Sequence, residues 1–175
     1  MKNLSEYINE SLVAEKLSLD DIVIYKPKDK KELKSLIDKL IKERGLDANL
    51  NDIDTSLIED MSWLFDTTKF NGDISRWDVS RVTDMSYMFC DSKFNGDISR
   101  WDVSRVTDMS FMFYDAPFNH NISRWDVSRV ENMTNMFTFS QFNQNISRWD
   151  VSKVIDMASM FKDCPLSKNP PKWYK

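Results

Sequence analysis

Large apolar side chains return along this chain every 24 residues. Phe70, Phe94, Phe118 and Phe142 each open a segment with the same offsets, which in the first are Ile74, Trp77, Val79, Val82, Met85, Met88 and Phe89. The four segments read FNGDISRWDVSRVTDMSYMFCDSK, FNGDISRWDVSRVTDMSFMFYDAP, FNHNISRWDVSRVENMTNMFTFSQ and FNQNISRWDVSKVIDMASMFKDCP. The string ISRWDVS is unchanged in all four, and a fixed period of this size marks a tandem-repeat array. Partial units flank it. Leu50, Ile53, Ile58, Met61 and Phe65 occupy the offsets of one earlier unit, and Leu166 and Trp173 those of a truncated later one.

Spacing inside the unit predicts local structure. Ile74-x-x-Trp77-x-Val79 matches the apolar spacing of a leucine-rich repeat, and alternation across Trp77, Asp78 and Val79 predicts a short strand with Asp78 outward. Met85, Met88 and Phe89 have helical spacing, with Ser80, Thr83 and Asp84 as capping residues and Asn71 opening the return loop. The predicted fold class is therefore an α/β repeat solenoid. It is a leucine-rich-repeat-like stack of short parallel strands and short helical turns, with a mainly helical N-terminal cap. The eight apolar side chains of one unit cannot offset the ordering of its backbone, so contacts between units must carry the stability.

Three regions follow. Residues 1–49 read as the cap, with helices at about 3–16 and 29–44 and a short strand at about 22–25. Leu4, Tyr7, Ile8 and Leu12 share one helical face; Asp29 and Glu32 form a capping-box pattern, and Gly45 is a helix stop. Residues 50–165 carry the partial and four full units. Residues 166–175 form a truncated repeat that acts as C-terminal cap, where Pro170 and Pro171 donate no ladder hydrogen bonds.

The units resemble the BspA-like leucine-rich-repeat family, whose string F-N-x-D-I-S-x-W-D-V-S-x-V-T-D-M-S-x-M-F stands here as Phe70 to Phe89 and recurs three times. The segment from Tyr25 to Phe65 resembles the usual lead-in to such repeats. This resemblance implies bacterial surface proteins, some associated with adhesion or matrix binding, and is also compatible with intracellular bacterial or phage-encoded versions.

Charge narrows the partner. Residues 51–165 carry eleven basic against eighteen acidic side chains. An acidic body repels a phosphate backbone, so nucleic acid is not the expected partner. No stretch has the length and apolarity of a membrane-spanning helix, and no basic start followed by an apolar run marks a secretory signal. Two cysteines without a CxxC pattern read as reduced thiols, and the expected compartment is the cytoplasm, with cell surface or virion as alternatives. His120 is the only histidine, and neither a nucleophile motif nor a phosphate loop occurs, so the chain reads as non-enzymatic and without cofactor or metal.

Two surfaces stand out as protein-binding candidates. One is the expected strand face, with Arg76 and Asp78 repeated as Arg100 and Asp102, Arg124 and Asp126, and Arg148 and Asp150. These columns read either as a self-compensating solvated face or as a recognition surface for a mixed-charge segment. The other is an aromatic stripe of Tyr87, Phe111 and Tyr114. A weaker calcium reading falls on Asp73 and Asp97, continued by Asn121 and Asn145. The expected function is a protein-binding repeat module, partner unidentified, capable of weak homo-oligomerisation. The alternatives are a structural, self-assembling component and a surface adhesin.

Overall fold

The computed structural model describes residues 24–174. The expected helix at 3–16 and most of the strand at 22–25 lie outside these residues. Tyr25 makes one isolated parallel bridge to Ile53.

Helix α1 spans Lys30–Arg44. The Asp29 side chain accepts from the Glu32 amide, and the Glu32 carboxylate accepts from the Lys28 amide, which satisfies two N–H groups at the helix start. Gly45 ends it at φ 94°, a backbone angle at which a side chain would be strained. Leu33, Ile37 and Leu40 bury one face of α1 in the core. The Lys30 ammonium reaches Asp60 and Ser62 at the start of the array.

The repeats stack with a 24-residue offset, but not as the expected α/β solenoid of parallel strands. Among the described residues there is no continuous strand and no sheet. The parallel pairing consists of isolated bridges, one column of which joins Asp60, Asp84, Asp108, Asn132 and Asp156. Trp77 to Val79 forms no strand, and Met85 to Phe89 is a run of turns, not a helix. The reason is local. The first two units each hold three Asp-x-Ser triplets, at Asp73, Asp78 and Asp84 in the first. In each triplet the acid's Oδ1 accepts the amide two residues on, closing an Asx turn. The equivalents in the next three units close in the same way, with Asn121, Asn132 and Asn145 replacing Asp, and Ala158 donating to Asp156. An N–H tied to a side chain two residues away is withdrawn from any strand ladder. The chain therefore turns three times per rung where a leucine-rich repeat would extend.

What joins the rungs is a ladder on the remaining side. The amides of Met85, Tyr87, Phe89 and Asp91 donate to the carbonyls of Asp108, Ser110, Met112 and Tyr114, and the same four bonds recur from Met61 to Lys162 at 2.8–3.1 Å. Two residues per rung, four apart, lie in the left-handed region: Trp63, Tyr87, Phe111, Asn135 and Ser159 in one column, Thr67, Asp91, Asp115, Phe139 and Asp163 in another, with φ between 47° and 63°. Turns such as Met85 to Met88, closed by the Met88 amide on the Met85 carbonyl, place that left-handed residue third, where a type II turn needs positive φ.

The core is built from columns. Phe65, Phe89, Phe113, Phe137 and Phe161 stack at 5.5–6.0 Å, and Phe70, Phe94, Phe118 and Phe142 at 6.2–6.5 Å beside them. All nine are buried. The indoles of the five tryptophans in the core column each donate to a carbonyl of the preceding rung: Trp77 to Leu50, Trp101 to Ile74, Trp125 to Ile98, Trp149 to Ile122 and Trp173 to Ile146. The one polar atom of each large side chain is thereby satisfied inside the core.

Candidate functional site

The column of Asp78, Asp102, Asp126 and Asp150 is exposed, as the sequence pattern suggested, but it does not sit on a strand. Each carboxylate is held by its own turn: Ser80, Ser104, Ser128 and Ser152 donate their amides to it. Hydrogen bonds from Ser128 and Ser152 hold Asp126 and Asp150 below the ordinary carboxylate range. These acids are components of the rung corners.

Arg76, Arg100, Arg124 and Arg148 are exposed, and among the described residues none is in an ion pair. They line a row of shallow hollows, one for each pair of successive units. The first, of about 500 Å³, lies between Arg76 and Arg100 beside Asp97. The second, of about 400 Å³, lies between Arg100 and Arg124, with Asp97, His120 and Asn121. The third, of about 300 Å³, is bordered by Asn121, Gln144, Asn145 and Arg148. Asp73 and Asp97, the calcium candidates, accept at their Oδ1 atoms from the Ser75 and Ser99 amides. Those bonds hold both carboxyls below their usual range, helped by Arg76 and Arg100 respectively.

The aromatic candidates occupy the ladder side. Tyr87 and Phe111 stack in parallel, ring centres 4.5 Å apart and planes within 6°. Trp63 extends the column, stacked on Tyr87 at 3.8 Å and 6°. Phe111 leans on Tyr114 at 5.6 Å, and Tyr114 meets Phe139 edge-on at 5.5 Å. Five rings thus run diagonally over four rungs. Trp63 is 48% exposed and Phe139 41%, and the three between are half-buried. The sequence reading missed Trp63 and Phe139. Subtracting 24 from Tyr87 gives Trp63 directly, but Phe139 replaces Asp91 and Asp115 in its column and has no repeat signal.

The stripe sits on costly backbone. Trp63, Tyr87 and Phe111 have φ of 63°, 57° and 57°. Bulky side chains are rare there, at about 1–3 kcal/mol each. Asn135 holds the same place in the next rung at φ 54°, and asparagine tolerates that conformation well.

Cys90 is buried beside the stripe, with Asp66 and Asp91 close enough that all three donor atoms lie within 4.8 Å of one another. Burial first, then the two carboxylates, push its thiol up to about 12. Burial and the neighbouring Asp91 also raise Asp66. The trio is confined to one place in the stack, since the next rung puts Tyr114 and Asp115 at those offsets.

Stacked 24-residue rungs with three Asx corners, a phenylalanine core and a partly exposed aromatic stripe define a tandem-repeat protein. The chain belongs to the family described as "Mycoplasma protein of unknown function, DUF285", a BspA-like repeat family, whose model matches residues 32–140 and 115–173. No curated protein and no solved structure matches it. Among the described residues, no helix is long and apolar enough to cross a membrane.

Proposed function

We propose that this chain is a non-enzymatic protein-binding module that holds its partner on the aromatic stripe of Trp63, Tyr87, Phe111, Tyr114 and Phe139. The observation that supports this reading is the pairing of exposure with backbone cost. Three aromatic rings occupy left-handed positions where Asn135 and Ser159 serve the fold in later rungs. Left-handed strain retained on an exposed surface points to use of that surface. Aromatic residues that are rigid and partly solvent-facing dominate protein contacts, because they bury much area at little side-chain entropy.

The leucine-rich-repeat kinship belongs to the same proposal, supported by the Ile74-x-x-Trp77-x-Val79 spacing. So does a cytoplasmic setting, supported by two free, buried thiols.

The test is affinity capture from host-cell lysate with wild-type protein and with a folded Tyr87→Asn/Phe111→Asn variant. A protein retained by the wild type and lost from the variant supports the reading. Equal capture by both, or capture of the chain by itself alone, removes it.

A further inference from the structure

The second surface carries its own information, which lies in how its charge changes along the stack. The arginine column is constant: Arg76, Arg100, Arg124 and Arg148. The column beside it is not. It reads Asp73 and Asp97 in the first two units, then Asn121 and Asn145 in the last two. All four side chains close the same Asx turn, so the fold accepts either residue there. The difference is electrostatic. Arg76 and Arg100 face neighbouring carboxylates that they help to keep charged. Arg124 lies between Asp97 on one side and Asn121 on the other, and Arg148 lies among the amides of Asn121, Gln144 and Asn145. The residues preceding this column change with it, from Gly72 and Gly96 to His120 and Gln144, which line the later hollows. The groove is thus lined by Asp97 in its first two hollows, and in the third it offers guanidinium and carboxamide donors with no carboxylate.

We propose that this groove holds an extended peptide segment of a partner protein, its acidic residues on Arg124 and Arg148 and its basic residues against Asp73 and Asp97. Guanidinium groups bind carboxylates by paired, charge-assisted hydrogen bonds, and carboxamides add further donors. A uniformly charged polyanion fits less well. A nucleic-acid strand carries a charge at every nucleotide and meets Asp73 and Asp97 at one end of the groove. A peptide can change sign along its length and match both ends. This inference shares with the preceding proposal the idea of a protein partner, but it rests on different residues. Its test uses synthetic peptides and leaves the aromatic stripe intact.

The experiment is a fluorescence-anisotropy titration at low salt with three labelled probes of equal length: a glutamate block joined to a lysine block, an all-glutamate peptide and oligothymidylate. The protein variants are Asn121→Asp/Asn145→Asp, which installs the side chains of the first two units, and Arg124→Ala/Arg148→Ala. The block peptide is expected to bind the wild type most tightly, and both variants are expected to weaken it. Two added carboxylates at about 6 Å from the ligand's own each weaken binding roughly threefold in water, hence about tenfold together. Phe111→Asn is expected to leave this affinity unchanged. The proposal is overturned if the aspartate variant binds the block peptide as well as the wild type does, if oligothymidylate or the all-glutamate peptide binds as tightly as the block peptide, or if no probe binds at millimolar concentration. Thermal melts of both variants establish that the fold is intact when the comparison is made.

Discussion

Replacing Phe111 with asparagine separates a ring kept for the fold from a ring kept for contact. Phe111 has φ 57°, and relieving a bulky residue of that conformation returns about 1–3 kcal/mol. Against this stand two ring contacts, the stack on Tyr87 at 4.5 Å and the tilted contact with Tyr114 at 5.6 Å, worth about 0.5–1.5 kcal/mol each. The two effects are of equal size, so Phe111→Asn is expected to change stability by no more than about 2 kcal/mol in either direction. Phe113, two residues on, is fully buried between Phe89 and Phe137, and Phe113→Ala is expected to cost about 3–5 kcal/mol. Urea denaturation followed by tryptophan fluorescence measures both on one scale. In binding, the order reverses: Phe111→Asn is expected to weaken a partner held on the stripe by at least about tenfold. If Phe111→Asn destabilises the protein as much as Phe113→Ala does, the rings are structural, and the argument from retained strain fails.

Three further expectations follow from the packing and the titrating groups. A Cβ at Gly72 would lie 2.0 Å from the Ala48 carbonyl oxygen, so Gly72→Ala should lower stability by about 1–3 kcal/mol, read as a reduced denaturation midpoint with an unchanged slope. The Cys90 thiol, raised to about 12 in the fold, should alkylate about a thousandfold more slowly in native than in unfolded protein at pH 8. Because its folded value lies above the unfolded one, the associated stability is complete below about pH 9 and fades as pH rises toward 12, which alkaline melts of the wild type and of Cys90→Ala would show. The carboxylates of Asp54, Asp60, Asp73, Asp97, Asp126 and Asp150 are depressed. Their contribution is present above about pH 4 and is lost as pH falls below it, so acid melts of Asp126→Asn should show a shallower decline than the wild type.

The stacking and the core were legible because a 24-residue period repeats each inward side chain at one place. Phe70, Ile74, Trp77, Val79, Val82, Met85, Met88 and Phe89 are all buried. The expected strand was not a sound inference, because three alternating residues from Trp77 to Val79 are too few to establish a period of two. The deciding signal lay in the polar residues between them. Asp-x-Ser occurs three times in each of the first two units, with Asn, Thr or Ala variants in the last two, and each occurrence is a local competitor for the amide that a strand would have shared. The helical spacing of Met85, Met88 and Phe89 likewise fits successive turns with every fourth residue left-handed, a conformation that no apolar pattern encodes. The outward aromatic stripe was half legible. Tyr87, Phe111 and Tyr114 followed from the repeat, Trp63 needed the offset to be carried back one unit, and Phe139 became visible only through its edge contact with Tyr114.

Site-specific photo-crosslinking most directly tests whether the aromatic stripe is a binding surface. A benzophenone amino acid placed at residue 111 would be activated in host lysate, beside the same probe at residue 100 on the arginine side. The account predicts one discrete protein adduct from position 111 that disappears when Trp63 and Phe139 are replaced by serine. Absence of any adduct from position 111, or an adduct that survives those replacements, would contradict it.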